Sequence, residues 1–516
     1  MAKSTQTKDK IYISLGWALL AIAFLVGCLT IYYGKFVDEA DNLVVGLLIR
    51  RGYVLYRDVF SHHFPFPYYW TALAILIFGK SALAVRLSFW VFQIAAFGLA
   101  MKFSRFHLSL GLAALAWSII RYLYSGNIVL YHGFAAGALV VVFAVVLAIV
   151  LESVEPGQKH YLVLGIFSSI ALLSDPFTVY ALGVAFLVLV ASRPKAAFLT
   201  GLVIFGIFST YLAYLFFSGT LKDFWNSAVL FNSQIYNSYK PVNISKFSDF
   251  FHALKTGLDI TNPDWYRMSP LREIGGNFDK WFFTGFLYRF AFLALAVCLT
   301  LLKKFRPALM VYLTGAAILI NSETGMRMTG FVMIALVALF ILVTQERLEA
   351  SKIKFINIVR VSTSIFAGIM ICWLGARVAS NIYQTRDSFT NAELSLLDWK
   401  SSQILETACN RTDVMLADYP NGIYSYWFTS LKPATKYTFL WPWVAKVGQV
   451  EIIETLNKEQ NEPVLIIMHE MNVWNRYPTT KYLAPLYEFL ETKYIKVDDG
   501  TYMSPKLASE CEYKQK

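Results

Sequence analysis

The chain has 516 residues, 57% of them hydrophobic and 16% charged, with a mean hydropathy of +0.50. That balance excludes a soluble globular protein of this length, whose surface needs more charge. The net charge of +12 does not point to nucleic acid, because no basic stripe with interleaved aromatics marks a soluble segment; it is the positive-inside bias of a membrane protein.

The apolar residues come in runs. A short basic tail with Lys3, Lys8 and Lys10 leads into the first, at 11–33. This run is too long for the core of a cleaved leader and no small-residue cleavage site follows it, so it reads as a retained signal anchor. Further runs lie at 82–101, 108–124, 128–151, 160–174, 176–192, 196–218, 281–302, 307–321, 328–345 and 355–376. The longer ones reach the ~20 residues that cross a bilayer core. The chain is therefore expected to be an all-α polytopic membrane domain of about eleven transmembrane helices, residues 1–376, followed by a small soluble domain, 377–516. Segment 160–192 is divided because Ser174-Asp175-Pro176 interrupts it. An aspartate at mid-bilayer costs roughly 2.5–3.5 kcal/mol and proline disfavours a continuous helix. Both penalties vanish if Asp175 caps a tight turn at the membrane surface.

The connections alternate in charge. One set of short loops, with the N-terminal tail, holds 14 Lys or Arg; the opposite short loops hold only Arg121 and Arg327. The basic set marks the cytoplasmic side. An odd number of crossings then places the C-terminal domain outside, in the inner membrane's extracytoplasmic space. The loops 34–81 and 219–280 fall on that outer side.

The first outer loop concentrates acids and aromatics. It carries Asp38, Glu39 and Asp41, a stretch at 43–49 too short to span, then Asp58, His62 and His63, and a second short apolar piece at 67–79. Both short pieces suit helices lying in the membrane interface. Asp175, Glu323 and Arg327 approach the same face. Carboxylates on wet loops need no function, but their density here makes Asp38, Glu39 and Asp58 candidate catalytic residues. Asp175, Glu323 and Arg327 are candidate binding residues, although Glu323 and Arg327, four apart, also suit a plain ion pair. His62 and His63 with Asp58 form a weak metal set, since adjacent histidines seldom converge on one ion. No metal is assigned, and dependence on a divalent metal is left open. Gly133 and Gly137 make a GxxxG of the helix-packing kind. His469-Glu470 lacks the second histidine of a zincin.

After residue 377 the period changes. Helices are expected near 392–409, 421–428, 444–457 and 483–491, and strands at 413–417, 435–440, 463–468 and 494–497. The alternation implies a small α/β domain with a largely parallel sheet and no glycine-rich phosphate loop. Its aromatic stretch at 437–443 suits either the membrane or site mouth, or ordinary packing. Cys409 and Cys511 both lie here; they are a disulfide in an oxidising compartment or two free thiols.

Several of these motifs together resemble a family. Asp38-Glu39, then Gly52-Tyr53-Val54-Leu55-Tyr56-Arg57-Asp58, His63-Phe64-Pro65, Phe78-Gly79-Lys80-Ser81-Ala82 and Arg86-Leu87 resemble the first outer loop of GT-C fold glycosyltransferases that use polyprenyl-phosphate sugars. The nearest kinds are protein O-mannosyltransferase-like and aminoarabinose-transferase-like proteins. The tail, from Tyr419-Pro420-Asn421-Gly422-Ile423-Tyr424 to Lys432-Pro433-Ala434-Thr435, resembles theirs as well. Asp41-Asn42 departs from the pattern, where an aromatic often follows the acidic pair. The resemblance implies transfer of a sugar from a polyprenyl-phosphate donor to a hydroxyl on a glycan, lipid or protein, at the outer face and with inversion. It implies Asp38 as base, Glu39 or Asp58 as its tuning or orienting partner, and Arg86, Arg327 and His63 near the lipid phosphate. The rival class is a lipid-linked-sugar transporter or flippase without covalent chemistry. It calls for polar residues at mid-depth along several helices, whereas the central portions of the proposed helices are nearly free of charge apart from Arg289 and Arg360.

Overall fold

A helix occupies each segment that hydropathy marked. The computed structural model describes residues 2–32, 37–124, 126–239, 287–319, 328–346, 348, 354–387, 400 and 402–511. The N-terminal part runs α1 (Ala2–Cys28), α2 (Val37–Arg50), α3 (Phe66–Phe78), α4 (Ala82–Ser104), α5 (His107–Ile120), α6 (Tyr131–Val150), α7 (Gln158–Ser174), α8 (Val179–Ser192) and α9 (Pro194–Phe217). After α10 (Leu221–Phe224) and a π-helical stretch, Trp225–Tyr236, come α11 (Leu287–Leu301), α12 (Phe305–Leu319), α13 (Met328–Thr344) and α14 (Lys354–Asp387).

Among the described residues, five helices are long and apolar enough to cross a membrane, and six shorter apolar helices accompany them. The surface confirms the solvent. Leu29, Leu187, Phe205, Phe217 and Ile358 all point outward, Phe217 with 85% of its area exposed. Apolar side chains over so large a surface are tolerated only against lipid. At the centre stands α6, buried along its whole length. Its Gly133 and Gly137 receive Phe89 and Phe92 of α4; a Cβ at Gly133 would lie 2.3 Å from the Phe89 ring. The GxxxG is thus a packing surface, as its spacing implied.

The break at Asp175 is real. α7 ends at Ser174, Asp175 caps a 3-10 turn, Pro176–Thr178, by accepting from the Phe177 amide at 3.1 Å, and α8 follows. At another junction Glu346 reaches the start of α5. Its carboxylate accepts from the amides of His107 (2.8 Å) and Ser109 (3.0 Å) and from the Ser109 hydroxyl (2.9 Å). A buried carboxylate there satisfies amide donors that α5 leaves unpaired and complements its dipole.

The C-terminal domain has a five-stranded mixed sheet, order β2-β1-β3-β7-β6. Its strands are β1 (Met415–Tyr419), β2 (Lys432–Pro433), β3 (Val464–Met468), β6 (Ile495–Asp498) and β7 (Thr501–Met503), with a separate hairpin β4 (Asn472–Val473) and β5 (Tyr477–Pro478). Only β1 is parallel to both its neighbours; β7 is antiparallel to β3 and β6. The expectation of a largely parallel sheet is corrected to this extent, because a tight turn at Gly500 returns β7 beside β6. The strand expected at 435–440 is absent: pairing with β1 stops at Lys432–Pro433, and Tyr437 and Phe439 instead turn toward Phe60, with ring centroids 5.0 and 6.4 Å away. Helices α15 (Ile423–Thr429), α16 (Pro442–Lys458) and α17 (Ala484–Lys493) match the expected ones. Residues 402–407 are helical, whereas the start of the helix expected at 392–409 lies outside the described residues. Cys409 and Cys511 form a disulfide across 102 positions.

Glu346→Ala should strip α5 of its cap and lower stability by about 1–3 kcal/mol, read as a fall in detergent-solubilised melting temperature. Cys511→Ser should expose the Cys409 thiol to maleimide in the folded protein and destabilise the C-terminal domain by about 2–5 kcal/mol; an already reactive Cys409 in the unreduced wild type would contradict the bridge.

Candidate active site

Within the first outer loop α2 is covered, while α3 leaves Leu73, Leu76, Ile77 and Phe78 exposed. Residues 39–48 of α2 are all buried within the protein. Two elements cover it, α3 on one side and α15 of the C-terminal domain on the other. A Cβ at Gly46 would lie 2.5 Å from the Thr71 side chain, so glycine permits the close approach of α2 to α3. Further contacts hold the C-terminal domain here. Phe60 donates its amide to the Lys436 carbonyl at 2.7 Å, Arg51 donates to the Ser430 carbonyl at 3.0 Å, and Lys80 donates to the Ser430 hydroxyl at 2.7 Å.

The start of α2 carries three carboxylates with three different surroundings. Glu39 is 1% exposed and bound to Arg86 of α4 through both of its oxygens, with Nε at 2.7 Å. Arg86 also donates to the Ile31 carbonyl at 3.0 Å, and Glu39 accepts from the Val129 amide at 3.2 Å. The pair therefore ties together the end of α1, α2, α4 and the segment entering α6. Asn42 reinforces it by donating to the carbonyls of Asp38 (2.9 Å) and Val129 (3.0 Å). Asp41 is buried and accepts from the Tyr68 hydroxyl, which is itself 2.6 Å from the Ser61 hydroxyl. Asp38 is half-buried, and among the described residues its carboxylate has no hydrogen-bond or ionic partner. Burial raises its pKa to about 6. A half-dehydrated carboxylate with no counterion and a pKa near neutrality has the character of a general base.

A second chain of contacts runs from Ser61. Its hydroxyl accepts from the His63 amide at 3.1 Å. The His63 ring lies between those of His62 (4.1 Å) and Tyr131 (4.5 Å), and Tyr131 lies 3.7 Å from His132. His132 Nδ1 is 3.0 Å from Asp175 Oδ2. Loop 34–81, the start of α6 and the α7–α8 turn thus meet, and His63 and Asp175 belong to one cluster with Asp41.

The other sequence candidates separate. Asp58 accepts from its neighbour Arg57 (2.8 Å) and from the Val54 amide (2.8 Å), closing a local turn; Arg57 beside it lowers its pKa. No contact joins it to Asp38. Glu39 and Arg86 neutralise each other. Glu323 and Arg327 lie outside the described residues. Among the described residues no three His, Cys, Asp or Glu side chains are grouped to hold a metal ion, and Asp58 is not beside His62 and His63 as that set required. Sequence reasoning did not assign Asp41, Ser61, Tyr68 or His132 to the site. Only Asp41 carried a usable signal, since i, i+3 spacing puts it on the Asp38 side of α2.

No protein-family model and no curated protein sequence matches the chain. Its similarity is to solved structures. ArnT from Cupriavidus metallidurans bound to undecaprenyl phosphate superposes with a TM-score of 0.55 at 13% identity, over 95% of this chain and 97% of the other. The apo form of the same protein gives 0.52 at 13% identity, over 96% and 99%. The chain is a multi-pass membrane protein with the fold of ArnT, the GT-C fold that its first outer loop resembled.

Proposed function

We propose that the protein is a membrane glycosyltransferase that moves a sugar from a polyprenyl-phosphate donor to a hydroxyl acceptor at the extracytoplasmic face. The observation that carries this reading is Asp38: among the described residues it is the one acid at the start of α2 that is neither ion-paired nor hydrogen-bonded, on a helix covered by the C-terminal domain. The likeness to ArnT supports a lipid-phosphate donor, because that protein was captured with undecaprenyl phosphate. The Cys409–Cys511 disulfide supports an oxidising compartment for the C-terminal domain and therefore a cytoplasmic N-terminus.

In this reading Asp38 accepts the proton of the acceptor hydroxyl as its oxygen forms a bond to the anomeric carbon. The bond from that carbon to the phosphate oxygen breaks, and the polyprenyl phosphate leaves with the electron pair. Phosphate is a good leaving group, so the demand falls on the base rather than on an acid. A single displacement inverts the anomeric centre. Glu39 and Arg86 hold α2 in place; they do not exchange protons. His63 and Asp175 lie near enough to this cluster to orient donor or acceptor. Glycan, lipid and protein hydroxyls all satisfy the chemistry.

Asp38→Asn should reduce donor consumption by about 10²–10⁴-fold without changing expression or melting temperature. Incubation with labelled polyprenyl-phosphate sugars tests the class as well: turnover identifies a transferase, while binding without turnover identifies a carrier. Since Asp38 must be ionised to act, wild-type activity should rise as pH increases through about 6. Arg86→Ala should leave Glu39 buried and unpaired, costing about 3–5 kcal/mol of stability, and Arg86→Met with Glu39→Met should recover most of it. A double variant that is stable yet has lost donor binding would move Arg86 from the scaffold to the phosphate.

A further inference from the structure

We propose that Asp41 is a positioning residue of the transfer reaction: one helical turn from Asp38 and held by Tyr68 and Ser61, it sets the basicity of Asp38. The inference rests on the transferase reading and deepens it. Asp41 is only 4% exposed, and its Oδ1 is buried without a hydrogen-bond partner. Its other oxygen accepts from Tyr68, whose hydroxyl meets Ser61 at 2.6 Å. A buried carboxyl with one satisfied and one unsatisfied oxygen is costly to keep.

The charged and titratable groups around the pair come from several elements: from loop 34–81 His62 and His63, reached through Ser61, and beyond them His132 of α6 and Asp175 of the α7–α8 turn. On α2 itself is Glu39, balanced by Arg86 of α4. From α3 comes Tyr68, and from α15 comes Tyr424, on the Arg86 side. Among the described residues no cation is paired with Asp38 or Asp41. Two buried carboxyls in one such place ionise in sequence, because the first charge opposes the second. Burial raises Asp41 to about 7, with the hydrogen bond from Tyr68 lowering it and the Asp38 charge raising it. Asp38, the more exposed of the two, takes the first charge. Ionisation of Asp41 then makes Asp38 a stronger base.

The test is the pH dependence of kcat with a labelled polyprenyl-phosphate sugar, in the full-length protein. The wild type should rise in two steps. Asp41→Asn, nearly isosteric, should remove the upper step and lower the high-pH plateau by about three- to tenfold. Tyr68→Phe removes a donor that favours ionised Asp41, so it should move the upper step to higher pH by about one unit. A merely structural Asp41 would change the rate equally at all pH values. A profile of unchanged shape in Asp41→Asn overturns the inference, and if that variant does not fold, an unmoved upper step in Tyr68→Phe does so. Failure is distinguishable from failure of the transferase reading: if Asp38→Asn keeps full activity, or the wild type consumes no donor, the reading itself falls; if Asp38→Asn is inactive while Asp41→Asn keeps the wild-type profile, only the role of Asp41 falls.

Discussion

Glu39 and Arg86 face each other in the interior, and four parts of the chain depend on that pair. Arg86 reaches from α4 to the carbonyl of Ile31 beyond α1, and Glu39 reaches from α2 to the amide entering α6. An unpaired charge at that depth would cost several kcal/mol. The pair therefore admits a narrow range of positions for α2, and that range fixes where Asp38 sits. Because Glu39 takes the nearby guanidinium, Asp38, the adjacent acid, has no counterion among the described residues. Neighbouring carboxylates in sequence thus acquire different surroundings, one in an ion pair and the other, on the proposed function, free to act as the base.

The C-terminal domain completes this environment. α15 covers α2, Phe60 lies against Tyr437 and Phe439, and Ser430 receives both Arg51 and Lys80. Dehydration of α2 thus depends on a segment almost four hundred positions away in sequence. Asp418, at the end of β1, accepts from Ser425 of α15 and lies 2.7 Å from His469 Nε2, which anchors that covering helix to the sheet. The C-terminal domain is in this sense a wall over α2.

Much of this was legible in residue order. The hydrophobic runs determine the helices because lipid leaves the backbone no other way to satisfy its hydrogen bonds. The Ser174-Asp175-Pro176 break was readable because charge and proline each oppose a continuous helix there. The strand at Val464–Met468 was readable from a short apolar run. The strand expected at 435–440 was not, because its aromatics are used against the outer loop rather than the sheet. The antiparallel return of β7 was hidden as well, since it depends on a turn and on what β3 leaves unpaired.

By itself, then, the sequence determined the membrane class, the helical segments, the α/β character of the tail and the concentration of acids in one loop. These follow from composition and local periodicity, which act over a few residues. Tertiary structure decided the fate of the acids in the first outer loop: Asp58 closes a turn, Glu39 binds Arg86, Asp41 binds Tyr68 and Asp38 has no partner among the described residues. Ionisation is set by burial and by partners brought from 27 to 47 positions away, and no local pattern encodes those distances.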